Sequence, residues 1–106
     1  MCRIVSGEIP AKLVHEDDLA IAFHDNAPQA PVHLLVVPRF HVATLADLAD
    51  QRLGGHLLRL VRKVAAEACV GESFRLVVNN GGNAGQSVWH LHLHVLGGRE
   101  FAWPPG

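Results

Sequence analysis

The sequence has few cysteines, no long apolar run and no concentration of positive charge. Cys2 and Cys69 are the only cysteines among 106 residues, and no Cys-x-x-Cys pair occurs. This excludes a disulfide framework and a four-cysteine zinc site. No apolar run approaches the roughly 20 residues that a membrane-spanning helix needs, and the start lacks the pattern of a secretory signal. We therefore expect a soluble, cytoplasmic protein without a membrane partner.

Charged residues are sparse and nearly balanced, with nine basic and ten acidic side chains. Because no basic stripe occurs, the chain is not expected to bind nucleic acid. Small anionic ligands stay compatible with this balance, since local donors matter more for them than net charge. A hydrophobic content of 49% in 106 residues predicts one folded domain, spanning 1–106, around a single core.

Apolar alternation and turn residues predict about five strands and one long helix. The predicted strands are 13–16, 19–23, 33–38, 74–78 and 86–96. The pair Asp17-Asp18 should form a tight hairpin connection between the first two. The run 33–38 is apolar almost throughout and should be central in the sheet. Strands that mostly neighbour each other in sequence favour an α+β fold with a five-stranded antiparallel meander.

Helical spacing of apolar residues begins after Gly54-Gly55 and predicts the long helix. Gly71 is well placed to end it. Thr44 and Asp47 have the spacing of a capping box, which predicts that a helix begins at Thr44. Residues 1–10 are expected to form a short N-terminal helical turn.

Three histidines alternate with apolar residues in the run 90–95. In a strand this alternation places Leu91, Leu93 and Val95 toward the core and all three imidazoles on the other face. At a rise of ~3.3 Å per residue, neighbouring imidazoles lie roughly 6.6 Å apart, so several can touch one small anion or metal ion. We therefore favour a functional role for this run over a merely solvated strand face.

Two kinds of chemistry fit a row of imidazoles. A metal centre would use neutral rings as ligands, and His-x-His on a strand is a known zinc geometry. Nucleophilic catalysis would use one ring to attack an electrophile while its neighbours bind the developing charge. No closing carboxylate or thiolate lies in the strand itself, which weakens the metal interpretation.

The loop before the histidines contains Gly81, Gly82 and Gly85, whose backbone N–H groups can approach an anion closely. Gln86 and Ser87 add side-chain donors. An anion seat beside imidazoles favours phosphoryl chemistry over a bare metal site.

The roles of the other histidines stay open from the pattern alone. His33 is either a further imidazole of the site or a satisfied core histidine. His24 and Asp25 either form a turn or bind hydroxyl groups. His15, His41 and His56 are expected at the surface.

The run His90-Leu91-His92-Leu93-His94 resembles the His-x-His-x-His-x-x signature of the histidine triad family, in which x is apolar. Further similar segments span nearly the whole chain: 7–12, 22–25, 28–33, 86–88 and 97–99. The ending Trp103-Pro104-Pro105-Gly106 resembles the Hint branch, the histidine triad nucleotide-binding proteins.

This resemblance implies an antiparallel sheet with a long helix, assembled as a homodimer whose two sheets join. It also implies binding of purine nucleoside monophosphates and hydrolysis of purine nucleoside phosphoramidates, without a metal or other cofactor. His92 resembles the nucleophile that attacks the α-phosphorus. His90 and His94 resemble the residues that flank it, and His33 resembles the fourth histidine. Ser87 resembles a helper at the leaving amine.

The resemblance also implies contacts with the other parts of the substrate. The implied substrate-binding residues are Asn79, Gly85 and Gln86 for the phosphate, Asp25 for the ribose, and Ile4, Phe23, His24 and Asn26 for the purine. Asn26 stands where a more apolar residue is usual. Trp103 resembles a tail residue that reaches the partner's active site.

Two alternatives to an enzyme stay open, a non-catalytic purine nucleotide sensor and a histidine-based zinc-binding protein. Many bacterial relatives begin with a Cys-x-x-Cys pair that helps to hold zinc, whereas only Cys2 stands here, so that metal site is expected to be lost. Relatives that act on dinucleoside polyphosphates lack the tail, and DNA-repair relatives carry added basic elements.

The proposed nucleophile must be neutral, with its second ring nitrogen holding the proton. The nearest group that can fix this proton is the backbone carbonyl of His90. Crowding of the histidines should disfavour their protonation, because each added positive charge repels the next. Once an anionic substrate binds, His94 is expected to become a cationic clamp on the developing oxyanion.

Overall fold

The computed structural model describes residues 12–106, which form five strands, one α-helix and two short 3₁₀ turns. The strands are β1 (Leu13–Glu16), β2 (Ala20–His24), β3 (Val32–Pro38), β4 (Phe74–Val77) and β5 (Leu93–Gly97), and the helix is α1 (Gln51–Glu67). The helical turn predicted for residues 1–10 lies outside the described residues. Within the described part of the chain, no helix is long and apolar enough to cross a membrane.

The strands form one antiparallel sheet in the order β1-β2-β3-β5-β4. This confirms the predicted α+β fold, a five-stranded antiparallel sheet with one long helix, and the central position of β3. The predicted meander is wrong for the last two strands, because β5 lies between β3 and β4. After β3, the connection that contains α1 leads to β4, which lies one strand position away from β3. The strand β5 then occupies the position between β3 and β4.

The hairpin between β1 and β2 turns at Asp17-Asp18, as predicted. The Oδ1 atom of Asp17 accepts hydrogen bonds from the backbone N–H groups of Leu19 (2.8 Å) and Ala20 (2.9 Å). A short acidic side chain can satisfy its own turn in this way, which is why aspartate is common in such connections.

The helix α1 begins earlier than predicted and includes both Gly54 and Gly55. Its N-cap is Asp50, whose carboxylate accepts the N–H groups of Arg52 (2.9 Å) and Leu53 (3.3 Å). The buried face of the helix already starts at Leu53. Burial of this apolar residue ahead of the glycines extends the helix toward its N-terminus, although glycine is a poor helix former.

The predicted capping box at Thr44 is wrong. Thr44 precedes a 3₁₀ turn at Leu45–Asp47, and its hydroxyl donates to the Asp47 carboxylate at 2.9 Å instead of capping a backbone N–H. The side chains thus satisfy each other, and the long helix receives its cap from Asp50.

The end of α1 also differs from the prediction. The helix ends at Glu67, and the residue with a left-handed backbone is Cys69 (φ 64°), not Gly71. Gly71 fits closely against the helix instead, since a Cβ at this position would lie 3.0 Å from the Cα of Ala66.

The core lies between α1 and one face of the sheet. It contains Leu53, Leu57, Leu60, Val61, Val64 and Ala65 from the helix, and Ala20, Ala22, Leu34, Val36, Leu91, Leu93 and Val95 from the sheet side. A smaller cluster of buried residues lies on the other face: Ile21, Phe23, Leu35 and Val37. Because side chains alternate along a strand, His33 and His94 share this second face, opposite the helix.

Candidate active site

Contrary to the prediction, the three alternating histidines do not all lie on one strand. The strand β5 begins at Leu93, so His90 and His92 belong to the irregular segment that precedes it. The prediction that Leu91, Leu93 and Val95 face the core is confirmed, since each is at most 4% exposed.

His90 departs most from the expected open row. It is 2% exposed, and its Nε2 atom donates to the carbonyl of Pro38 at 2.8 Å. The neighbouring Leu91 N–H donates to the carbonyl of Val42 at 2.6 Å. The segment before β5 is therefore fixed to the chain that follows β3, which turns His90 inward. The ring of His41, an exposed residue as expected, lies edge-on to His90 with 5.5 Å between centroids.

His33 joins the histidine site through the pairing of β3 with β5. In this register Leu35 lies opposite His94, and His33 lies opposite Leu96, so the two histidines are diagonal neighbours on one face. The Nε2 atom of His33 lies 2.9 Å from the Nδ1 atom of His94. His33 is also 5% exposed, so it is both a satisfied buried histidine and a member of the site.

The hydrogen-bond partners determine which nitrogen carries the proton in these two rings. The backbone N–H of Gln29 donates to Nδ1 of His33 at 3.0 Å. In the neutral ring the proton must therefore be on Nε2, from which His33 donates to Nδ1 of His94. The proton of neutral His94 must in turn be on its own Nε2.

This Nε2 atom of His94 stands out among residues 12–106 because it is the one buried side-chain nitrogen or oxygen without a hydrogen-bond partner. A buried donor without an acceptor costs free energy comparable to a lost hydrogen bond. Such groups are rare in folded proteins and require a specific explanation. A bound ligand with a hydrogen-bond acceptor would satisfy this donor.

His92 has the opposite arrangement of its ring nitrogens. Its Nδ1 atom lies 2.7 Å from the backbone carbonyl of His90. Since a carbonyl only accepts, Nδ1 carries the proton and Nε2 keeps its lone pair, which confirms the prediction that the His90 carbonyl fixes this ring. The rings of His92 and His94 lie 5.0 Å apart at 66°. A nitrogen that keeps its lone pair and a nitrogen that donates a proton thus belong to neighbouring rings.

The pKa values of the buried His33 and His90 and of the partly buried His94 are lowered, in the direction that crowding predicts. Burial, followed by repulsion from His92 and His33, lowers the pKa of His94 to about 4. Burial likewise lowers the pKa of His33 and that of His90. Loss of hydration is thus a larger cause than the expected repulsion between rings. In this structure His94 is uncharged at neutral pH and offers its N–H without a positive charge.

The glycine loop does not form the predicted anion seat from Gly81 and Gly85. The N–H of Gly81 donates to Oε1 of Gln86 at 2.8 Å, and the N–H of Gly85 donates to the carbonyl of Gly82 at 3.1 Å. Both residues have positive φ, 92° and 100°, which favours glycine. These glycines therefore allow the loop to close on itself.

Gln86 organises this loop from the inside. Its side chain is buried, and its amide nitrogen donates to the carbonyls of Ala43 (2.7 Å) and Val88 (3.1 Å). Because the whole amide is engaged with the protein, the predicted phosphate contact is not open to it as the chain is folded. The adjacent Ser87 is exposed. Asn79 lies against Gly85, where a Cβ would be 3.9 Å from the Asn79 amide nitrogen.

Asp25 and Phe23 share the face that carries the histidines. The Oδ2 atom of Asp25 lies 3.5 Å from Nε2 of His33, and Oδ1 accepts the N–H of Ala27 at 2.8 Å. Phe23 lies opposite Leu35 in the sheet and is 3% exposed. The carboxylate is thus brought to the histidines, whereas the Phe23 ring is largely covered.

The remaining predicted contacts are less closely placed. His24 follows Phe23 on β2, so its side chain lies on the opposite face and is exposed; the structure does not bring it to the histidines. Asn26 is exposed in the loop after β2. Trp103 is 82% exposed, and its contact with a partner stays a prediction. Ile4 and Cys2 lie outside the described residues.

A metal ion fits poorly among these side chains. Asp25, His33 and His94 offer ligand atoms that all lie within 4.8 Å of one another. However, the Gln29 N–H places the proton of His33 on Nε2, the atom that faces the other two residues. A protonated ring nitrogen has no lone pair for a metal, so a cation would require this hydrogen bond to break.

Sequence analysis missed two groups of this site, the N–H of Gln29 and the carbonyl of Pro38. Both act through the backbone, so no residue type signals them. Pro28-Gln29 lies in one of the segments that resemble the histidine triad family, and this resemblance was the only indication that Gln29 belongs to the site.

The described sheet, helix and histidine cluster define an α+β domain with a histidine-based site. The model of the HIT domain matches residues 6–101, and the chain belongs to the HIT domain family.

Comparisons with individual proteins agree with this assignment. The chain is 54% identical to an uncharacterised HIT-like protein of Synechocystis, over 98% of this chain and 93% of the relative. It is similar to the crystal structure of a HIT family hydrolase from Legionella pneumophila, with 46% identity, a TM-score of 0.96 and coverage of 99% and 96%. A histidine triad nucleotide-binding protein from Candida albicans has 29% identity, a TM-score of 0.85 and coverage of 97% and 80%.

Proposed function

We propose that the protein is a nucleotide-binding hydrolase of the Hint branch that cleaves the P–N bond of purine nucleoside 5′-phosphoramidates. The observation that carries the proposal is the state of His92, whose Nδ1 proton is held by the His90 carbonyl at 2.7 Å. This leaves Nε2 as an uncharged nucleophile. The likeness to a HIT family hydrolase and to a nucleotide-binding HIT protein supports the same activity.

In the first step, the lone pair of His92 Nε2 forms a bond to the α-phosphorus. The P–N bond of the substrate breaks, and its electron pair stays with the departing amine, which takes up one proton. Ser87, exposed beside the loop, relays that proton from water. The product of this step is a nucleotidyl-histidine in which Nδ1 keeps its proton, so the ring carries a positive charge.

The positive ring makes His92 a good leaving group in the second step. Water attacks phosphorus, the bond from phosphorus to Nε2 breaks, and the electron pair returns to the ring. The water loses one proton to solvent, the nucleoside monophosphate leaves, and neutral His92 is regenerated.

The neighbouring groups supply binding and charge stabilisation. The Nε2–H of His94 donates to a phosphate oxygen, which satisfies a donor that is otherwise buried without a partner. Asp25 accepts from a ribose hydroxyl, and Asn79 donates on the phosphate side. No metal takes part in these steps.

Quenched turnover of an aryl-amine adenosine phosphoramidate, followed by mass spectrometry of tryptic peptides, tests this function. We expect an adenylyl group on His92 at early times. The His92→Asn variant should retain AMP binding and lose at least ~100-fold in turnover, a typical effect of removing such a group. Unchanged turnover in this variant would refute the role of His92, and AMP binding without any cleavage would favour a nucleotide sensor. Loss of activity on chelation, restored by zinc, would favour a metal enzyme.

We also propose that two copies pair through their sheets. The strand β4 lies at the edge of the sheet, where its outer backbone groups are available for pairing. The exposed Trp103 is then free to reach the partner's site. Sedimentation at micromolar concentration should give a dimer, and a monomer under these conditions would contradict the pairing.

A further inference from the structure

A path of hydrogen bonds connects the C-terminal segment of the chain to His94. We infer that Arg99 and the backbone of Gln29 are positioning groups, which decide whether His94 presents a proton or a lone pair to the ligand. The atoms of this path are Arg99 Nε, Gln29 O, Gln29 N, His33 Nδ1, His33 Nε2 and His94 Nδ1.

The contact between Gln29 and His33 sets the direction of the path. With the Gln29 N–H on Nδ1 of His33, both rings carry their protons on Nε2. Without this donor, His33 can place its proton on Nδ1 and accept from Nδ1 of His94. His94 would then present a lone pair at the buried position where Nε2 now carries a proton. Neutral tautomers are set by the hydrogen bonds of the other ring nitrogen, so the Gln29 N–H acts on both rings. The Asp25 carboxylate, 3.5 Å from Nε2 of His33, favours the same tautomer.

Arg99 holds Gln29 in place from the other side. Its Nε donates to the Gln29 carbonyl at 3.2 Å, and its Nη1 donates to the carbonyl of Glu100 at 2.8 Å. The guanidinium carbon also lies 4.2 Å from the centroid of the Phe101 ring. Stacking on an aromatic face limits the freedom of a side chain that is otherwise exposed.

The turn after β5 brings Arg99 to this loop. Gly98 has a φ of 89°, and a Cβ at this position would lie 2.9 Å from the Cβ of Pro31. Only glycine permits both the backbone conformation and the close approach. The turn and the loop 25–31 therefore pack tightly, and the bond from Arg99 to Gln29 bridges them.

The catalytic consequence of this arrangement rests on the proposed function. An N–H at His94 attracts a phosphate oxygen, whereas a lone pair at the same position repels it. Loss of the path should therefore lower turnover, whereas the protonation pattern of the rings can be measured without any substrate.

The ¹⁵N chemical shifts of labelled histidine rings report directly which nitrogen carries a proton. In the wild-type protein near pH 7 we expect protons on Nε2 of His33 and His94, and on Nδ1 of His92. Gln29→Pro removes the backbone donor and should shift part of the His33 population to the form protonated on Nδ1, although the Asp25 carboxylate still favours a proton on Nε2. Gln29→Ala retains the backbone donor and should keep the wild-type tautomers. Unchanged ring shifts in a folded Gln29→Pro protein would overturn the inference.

Arg99→Lys tests the outer link without altering the loop, and it decides the matter if Gln29→Pro does not fold. Its matched control is Arg75→Lys, because Arg75 also stacks on Phe101 (5.0 Å) but donates to the Ala102 carbonyl instead of Gln29. We expect a second set of His33 and His94 shifts in Arg99→Lys alone, and kcat lower by about 10-fold. Identical spectra of the two lysine variants would overturn the role of Arg99. Altered spectra together with absent wild-type turnover would instead contradict the proposed function.

Discussion

The described chain holds two groups of clustered histidines, and they differ in whether their hydrogen bonds are complete. The first, which we call the Asp17 cluster, consists of Asp17, His15 and His56. The Oδ2 atom of Asp17 lies 2.8 Å from Nε2 of both histidines. Burial tends to raise the pKa of Asp17, but hydrogen bonds from the two histidines and from backbone N–H groups lower it well below its ordinary value.

In the second group, His33, His92 and His94, the Asp25 carboxylate lies 3.5 Å from Nε2 of His33, a looser contact than the 2.8 Å contacts of Asp17. The hydrogen bonds of this group run in one direction, from the Gln29 N–H to His33 and then to His94, and end at a buried donor without a partner. In the Asp17 cluster, the shared carboxylate joins the β1–β2 turn to α1, so we assign this cluster a role in stability. In the second group, by contrast, one buried donor has no acceptor within the described protein.

The largest difference is expected when His94 is replaced. His94→Asn removes the open donor, so kcat/KM for an adenosine phosphoramidate should fall by about 100-fold or more. Stability should fall by only about 1 kcal/mol, because His33 loses the acceptor of its Nε2–H while a buried donor without a partner is removed at the same time. Steady-state kinetics and urea unfolding of the same sample check both statements. A strongly destabilised but active protein would show that the two clusters have been assigned the wrong way round.

Replacing Asp17 should give the reverse result. Asp17→Ala removes a charged acceptor of four hydrogen bonds, which should lower the free energy of unfolding by about 2–4 kcal/mol. Turnover near pH 7 should stay within about twofold, because the cluster does not touch the proposed site. The exposed neighbour Asp18 offers the control Asp18→Ala, for which urea unfolding should show a change within about 0.5 kcal/mol.

The two groups should also differ in the pH range where they affect stability. The unfolded chain binds protons at histidine near its ordinary pKa of 6.5, whereas folded His94 does so only near 4. The free energy of unfolding should therefore fall as the pH is lowered from about 7 to 4, by at most about 3 kcal/mol for His94. The contribution of Asp17, whose pKa is lowered from 3.8, should be lost only below that range.

Urea unfolding at a series of pH values measures this difference. His94→Asn should reduce the slope between pH 7 and 4 and leave the slope below pH 4 unchanged. Part of the slope should persist, because the pKa values of His33 and His90 are also lowered. Equal slopes for the variant and the wild-type protein between pH 7 and 4 would contradict a neutral, buried His94.

The smallest expected effect concerns the helix that carries His56. Asp50→Ala removes the N-cap of α1 and should cost about 1 kcal/mol in urea unfolding, without a change in turnover. Thr44→Ala is the matched control, since its hydroxyl donates to Asp47 and caps no backbone group; it should cost a few tenths of that. Equal losses in the two variants would return the capping role to Thr44.

Much of the fold was predictable because local sequence patterns determine which residues are buried and where the chain turns. The alternation around Leu91, Leu93 and Val95 identified the buried face, and Asp17-Asp18 identified the first turn. The strand order was less accessible, since placing β5 between β3 and β4 depends on pairing between distant segments. The ends of α1 were also mispredicted, because tertiary packing outweighed the glycine signals at Gly54 and Gly71.

The Asp17 cluster shows that side-chain contacts between distant residues are equally hard to predict from sequence. His15 and His56 were expected to be ordinary surface residues, yet their side chains are only 18% and 34% exposed and share one carboxylate. His56 is 39 residues from Asp17 in the chain, so no short pattern could join them.

The sequence by itself determined the alternation of histidines with core residues and the tautomeric state of His92. That state depends on a carbonyl only two residues away. The tertiary structure alone decided that His33, 61 residues distant, would donate to His94, and that His90 would turn inward. The physical reason is the separation of the interacting residues along the chain. Backbone geometry fixes what neighbours in the chain can reach, whereas the register of β3 against β5 decides which distant rings meet and which donor is left open.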